Sequence, residues 1–140
     1  MVRNKLEGDG ATPIGVHQLL RIFYRTDRVS VPLCPFPVKQ ITSNMGWCDA
    51  VNDPNYNRLI TLPFLNSHEI MMRHDHLYDI CVELSYNTRS TIKHRGSAIF
   101  FHISRPGFTP TEGCVAVTRS CMQWILGQCS RTTRMVIRHC

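Results

Sequence analysis

Hydrophobic and polar positions along the chain divide it unevenly. Ile80, Val82, Leu84 and Tyr86 alternate with Asp79, Cys81, Glu83 and Ser85, which predicts a half-buried strand. Asn87-Thr88-Arg89-Ser90 follows as a turn. Ser97-Ala98-Ile99-Phe100-Phe101-His102-Ile103 is continuously apolar except at its ends and at the histidine. That pattern predicts a strand buried on both faces. Near the end, Ser120 with Gln123 three residues later has the spacing of a capping box, and Met122, Ile125, Leu126 and Cys129 fall on one side of the helix it would open. Thr133 to Ile137 reads as a last strand.

The first half is less decisive. Ile14 to Tyr24 suits a helix by its Leu19-Leu20 centre and a strand by its Ile, Val, Phe and Tyr content. Gly8-Asp9-Gly10 before Thr12-Pro13 is turn chemistry. Pro32, Pro35 and Pro37 allow only short extended pieces. Gly46 to Arg58 reads as a long ordered loop, a kind of segment that is often functional. Short strands with one clear helix predict a mostly-β, α+β domain.

The sequence contains no internal repeat, low-complexity tract or linker, so its 140 residues read as a single domain, 1–140. A chain of this length buries enough surface to fold without disulfide or metal staples. The longest apolar runs are too short for a membrane span. Met1-Val2-Arg3-Asn4-Lys5 is a basic start without the apolar stretch of a signal peptide. The net charge is +6, but no Lys/Arg run or basic amphipathic helix concentrates it. A general attraction to anionic material is expected rather than a nucleic-acid footprint. Seven cysteines show no disulfide-framework spacing. Cys34, Cys48, Cys81, Cys121, Cys129 and Cys140 read as core filler or exposed thiols. His74, Asp75 and His76 lack the companions of a zinc motif and read as polar surface, so no metal is expected.

The segment with chemical content runs from His102 to Arg119. His102 closes the buried strand, and Cys114 follows twelve residues later behind Gly113. Between them Arg105 to Pro110 forms a loop able to fold back. An imidazole beside a thiol shuttles its proton, and main-chain N–H groups near Gly113 and Cys114 can hold an oxyanion. The spacing alone equally describes a buried structural cysteine beside an unrelated histidine.

Glu7-Gly8-Asp9-Gly10-Ala11-Thr12-Pro13-Ile14-Gly15 resembles the N-terminal signature of the L,D-transpeptidase catalytic domain, the YkuD family. Phe100-Phe101-His102 and Thr111-Glu112-Gly113-Cys114-Val115-Ala116-Val117 resemble its catalytic segment. Gly46-Trp47-Cys48-Asp49, Tyr56-Asn57, Ser67-His68-Glu69 and His76-Leu77-Tyr78-Asp79 are similar to a compact single-domain branch of that family.

The resemblance implies a β-rich fold and a cysteine acyltransferase acting on peptidoglycan stem peptides. It implies Cys114 as nucleophile, His102 as general base and acid, and Gly113 as the residue that sets the backbone geometry of the oxyanion site. Tyr56, Asn57, Trp47, Arg119 and Glu112 are the expected substrate-binding residues, with Asp49 a further candidate for the cleft; Trp47, Asp49, Tyr56 and Asn57 equally suit the anchoring of a long loop by packing and Asx-type hydrogen bonds. No cofactor is implied, because the thioester itself stores the acyl group. With an amine acceptor the product is a 3→3 cross-link; with water the same site is an L,D-carboxypeptidase. A non-catalytic basic module binding anionic wall glycan or nucleic acid is the alternative from another class. The resemblance also implies an extracytoplasmic location, which would place the natural start upstream of this sequence. Two departures stand out. Thr111-Glu112 replace the Ser-His of many members, putting a carboxylate beside the thiol. Ala116 stands where many carry an arginine, leaving Arg119 or Arg105 as the candidate for binding a substrate carboxylate.

Overall fold

The computed structural model describes residues 1–139. Among the described residues there are nine strands, one α-helix and one short 3-10 turn at Pro106–Phe108. In order they are β1 (Gly15–Tyr24), β2 (Val38–Gln40), β3 (Met45–Cys48), β4 (Arg58–Thr61), β5 (His68–Ile70), β6 (Ile80–Leu84), β7 (Phe100–Ile103), β8 (Val115–Val117), α1 (Arg119–Gln128) and β9 (Arg134–Ile137). The mostly-β expectation holds, and Ile14–Tyr24 resolves as strand. Its β-branched and aromatic residues pair with three partners. The last turns of β1 run parallel to β2 (Ile22 opposite Val38) and antiparallel to β6 (Phe23 opposite Cys81), while its first residues pair antiparallel with β9 (Val16 opposite Val136). The main sheet has the order β2-β1-β6-β7-β8, with β9 attached to β1.

Gly46–Arg58 is not one long loop. Its two ends belong to a second sheet, β4-β3-β5. Met45, Gly46, Trp47 and Cys48 are all buried, because β3 is the central strand of that sheet and faces the main one. The main sheet is consequently covered on both sides. Leu19, Ile22, Ile80, Val82, Leu84, Phe101 and Ile103 meet Met122 and Leu126 of α1 on one face. Phe23, Cys81 and Phe100 meet Ile41, Met45, Trp47, Met71 and Tyr78 on the other. This is why β6 is buried at every position rather than half-buried. Its small or polar positions are accommodated individually, with Cys81 in the second core and Glu83 accepting from Arg21 Nε at 2.7 Å.

Helix α1 begins two residues earlier than the Ser120 capping box predicts. Thr118 leaves β8 in an extended conformation, and its Oγ1 accepts from the Cys121 N–H at 3.2 Å. Ser120 lies inside the first turn. The apolar side falls where the spacing places it, with Met122 and Leu126 buried and Ile125 and Cys129 packed against the same core.

Asp79 joins three regions at the mouth of this sandwich. It is fully buried, accepts from Arg28 Nη1 at 3.0 Å and His76 Nδ1 at 2.9 Å, and binds Arg119 at the start of α1. A buried carboxylate holding two guanidinium groups is costly to remove, since the cations then lose their compensation. Asp79→Ala is expected to lower unfolding stability by about 3 kcal/mol in a denaturant titration.

Candidate active site

The alternation of β7 sorts its side chains. Phe101 and Ile103 go to the helix side of the sheet, leaving Phe100 and His102 on the side of the small sheet. Strand β8 runs parallel to β7, with Val115 opposite Phe101 and Ala116 opposite His102. Extending that register by one residue brings Cys114 beside Phe100. The Phe100 N–H donates to Cys114 Sγ at 3.4 Å, and the thiol donates to the Ala98 carbonyl at 3.2 Å. Parallel pairing therefore puts the cysteine and the histidine on neighbouring strands and on one face of the sheet.

Gly113 makes this approach possible. Its φ is +111°, and a Cβ there would lie 2.6 Å from the Ala11 carbonyl oxygen. The segment it meets is held by Asp9, whose carboxylate accepts from the N–H groups of Leu6 (2.8 Å) and Ala11 (2.9 Å) and pairs with Lys5. Burial works to raise the Asp9 pKa, but these donors outweigh it and hold the group at about 2. The Gly-Asp-Gly turn is thus the wall against which the nucleophile segment closes. Lys5 itself is buried in that wall.

A cavity of about 450 Å³ opens over the sulfur. Cys114, His102, Ala98 and Tyr78 line it, together with the cations Lys5, Arg73 and Arg105 and the carboxylates Glu7, Asp49, Glu69 and Glu112. His102 Nδ1 sits 2.8 Å from the Ile103 carbonyl, which can only accept. Nδ1 therefore carries the ring proton and Nε2 keeps its lone pair. Burial lowers the His102 pKa, so the ring is neutral near pH 7. Burial also pushes the Cys114 thiol up to about 12, with the Phe100 N–H opposing and Glu69 adding to the rise. The resting pair is neutral thiol and neutral imidazole.

The carboxylate that bears on the thiol is Glu69, rather than the adjacent Glu112. Glu69 accepts from Tyr78 Oη at 2.7 Å and Arg73 Nη1 at 3.0 Å. Burial raises its own pKa despite those donors. Tyr78 in turn packs edge-on against His102, 5.6 Å between ring centres. Glu112 turns toward Gly10 on the cavity rim.

Of the expected substrate-binding residues, Asp49 and Glu112 line the cavity, and Trp47, Tyr56, Asn57 and Arg119 do not. Trp47 is core, packed edge-on against Phe23 and Phe100. Tyr56 is buried and bonds Glu7 and the Gly96 N–H. Arg119 is held at Asp79, whereas Arg105 lines the cavity. Asn57 lies one layer behind the thiol. Its Oδ1 accepts from Trp47 Nε1 and the Ala98 N–H, both at 3.0 Å, while its Nδ2 donates to the Tyr86 and Asn87 carbonyls. Ala98, whose carbonyl accepts a hydrogen bond from the thiol, has φ +51°. Asn57 thus braces a residue that would not adopt this conformation unaided.

Lys5, Arg73, Tyr78 and Ala98 were not legible as site residues from spacing. They come from distant segments, and each also suits an ordinary surface or core role. Among the described residues there is no group of three or more His, Cys, Asp or Glu side chains able to hold a metal. Cys34, Cys48, Cys81, Cys121 and Cys129 are free thiols, as is Cys114; Cys140 lies outside the described residues.

Residues 3–137 match the L,D-transpeptidase catalytic domain, YkuD. The chain belongs to that family. Its members generally act as L,D-transpeptidases on peptidoglycan. No curated protein and no solved structure matches the chain. Within this family domain, two substitutions probe the architecture just described. Asn57→Ala strands the Trp47 and Ala98 donors, and is expected to cost about 2 kcal/mol in denaturant unfolding. Gly113→Ala forces the Ala11 carbonyl to move, and is expected to abolish labelling of Cys114 by a small alkylating agent or a carbapenem, read by intact-protein mass spectrometry.

Proposed function

We propose that this YkuD domain is a cysteine acyltransferase that cross-links peptidoglycan stem peptides through a thioester on Cys114. The observation that carries the reading is the pairing of an anchored thiol with an imidazole whose Nε2 is free, on adjacent parallel strands and facing one cavity.

Donor binding brings the scissile amide carbonyl over Sγ. Because the resting thiol is neutral, its proton moves to His102 Nε2 as sulfur attacks. The C–S bond forms, and the main-chain N–H groups of Gly113 and Cys114 are the proposed oxyanion donors. Collapse breaks the C–N bond, and His102 gives its proton to the departing D-alanine amine. An amine from a second stem then attacks the thioester, loses a proton to His102, and leaves the 3→3 linked product with the thiol restored. Arg105 is the proposed partner of a donor carboxylate. No cofactor enters this cycle.

Water in place of the second amine would make the enzyme an L,D-carboxypeptidase. The carboxylates Asp49, Glu69 and Glu112 that line the cavity favour the cross-linking reading, because they suit a cationic amine better than a neutral water. The family's substrate further implies that the protein works outside the cytoplasm. No helix among the described residues is long and apolar enough to cross a membrane.

Incubation with purified tetrapeptide muropeptides is expected to release D-alanine and give dimers, with Cys114→Ala reducing turnover at least a thousandfold, about the loss typical of removing a covalent nucleophile. Absence of a thioester on Cys114 in the presence of donor, read by intact-protein mass spectrometry, would defeat the proposal. The pH profile gives a second check. A depressed His102 pKa keeps the base competent below the ordinary histidine value of 6.5. Activity should therefore hold as pH falls through 6.5 and decline only below it, measured as kcat/KM for the donor. An acid limb centred above 7 would contradict a neutral imidazole at rest.

A further inference from the structure

A second concavity, of about 610 Å³, lies apart from the catalytic cavity where the start of β1 meets β9 and the 85–95 segment. Arg3, Arg89, Arg95 and Arg134 line it, and no Asp or Glu does. The sequence disperses these arginines over more than a hundred positions, so no basic run announces them. Folding gathers them at one place. All four are exposed, and none makes an ion pair among the described residues. Arg134 donates only to the Thr132 and Thr133 carbonyls, which leave its charge uncompensated. In contrast, Arg21, Arg25, Arg28, Arg73 and Arg119 are each matched to a carboxylate.

Two further features qualify the groove as more than a field of positive charge. Val16 and Ile92 stand exposed in it, at 66% and 60% of their full accessibility. The Thr88 hydroxyl in its lining is buried and has no hydrogen-bond partner. Guanidinium groups around apolar side chains match a ligand that alternates carboxylates with methyls and sugar faces. They match a uniform phosphate chain less well, because it has nothing to place on Val16 and Ile92. Hydrogen bonds of Asn57 connect the groove to the catalytic cavity. Tyr86 and Asn87 line the groove, and their carbonyls accept from Asn57 Nδ2, whose Oδ1 holds Ala98 behind the thiol.

We propose that this arginine groove is a docking site for intact peptidoglycan, gripping the free carboxylates of stems other than the one being processed. The assignment rests on the acyl-transfer reading only for the identity of the polymer. Fixed positive charge in a concave site raises the local concentration of an anionic partner and is screened by salt. Docking would hold the enzyme on its insoluble substrate while single stems enter the cavity.

The test separates docking from catalysis. Cosedimentation with purified sacculi, stripped of attached polymers, is measured in a Cys114→Ala background, with and without Arg3→Gln, Arg89→Gln, Arg95→Gln and Arg134→Gln together. Polyphosphate serves as soluble competitor. The expected result is binding that weakens with salt and falls about tenfold or more when the four charges are removed. The same four changes in the Cys114 enzyme should alter turnover of a soluble monomeric muropeptide less than twofold. An Arg89→Gln/Arg95→Gln pair, on a single loop segment, should show an intermediate loss of binding and guards against misfolding of the fuller variant. Equal sedimentation with and without the arginines would overturn the proposal. So would displacement from sacculi by polyphosphate at a lower charge concentration than the sacculi present. Failure of every variant to turn over muropeptide would instead count against the acyl-transfer reading, with the sedimentation result still deciding the groove.

Discussion

The parallel pairing of β7 with β8 is the constraint on which the site depends. Once Ala116 lies opposite His102, the residue two positions earlier must come beside Phe100, and that residue is Cys114. The sulfur then fills a position defined by the main chain, between the Phe100 N–H and the Ala98 carbonyl. A parallel pair requires a crossover rather than a tight turn. Here the crossover is the proline-containing loop from Ser104 to Thr111, which also supplies Arg105 and Thr111 to the cavity. The placement of Cys114 and part of the cavity lining therefore arise from one connection.

Much of the remaining architecture supports that pairing from behind. The small β4-β3-β5 sheet places Trp47 under Phe100 and sends Asn57 to Ala98. The Lys5–Asp9 turn presents the Ala11 carbonyl that only a glycine at 113 can approach. Asp79 fixes the start of α1 to the segment preceding β6. Each of these buried polar groups is hydrogen-bonded, and Asn57 and Asp79 join segments distant in sequence. Their specificity lies in fixing one arrangement of loops around the sulfur, since an unpaired member would be more expensive than the pair is favourable.

Electrostatics inside the cavity oppose ionisation of the thiol. Burial and Glu69 raise the Cys114 pKa while burial lowers that of His102. A preformed thiolate–imidazolium pair is thus disfavoured, and proton transfer has to be coupled to attack. The acidic and basic side chains of the site face the same cavity.

What the sequence by itself determined is local and periodic. The continuous apolar run before His102 specified a strand covered on both sides, the spacing in Met122–Cys129 specified the buried side of α1, and the motifs around Gly8–Gly15 and Gly113–Cys114 carried the family. These features are legible because strand and helix periods and turn chemistry act over a few residues. Tertiary structure alone decided whether Ile14–Tyr24 was strand or helix, since three strand partners outweigh a leucine pair of good helix formers. It also moved Trp47, Tyr56 and Asn57 from the expected cleft into the layer beneath it, replaced Arg119 by Arg105 at the cavity, and gathered Arg3, Arg89, Arg95 and Arg134 into one groove. The physical reason is common to all of these. Which face a residue takes, and which charges it meets, is set by contacts between segments far apart along the chain, and no local pattern encodes them.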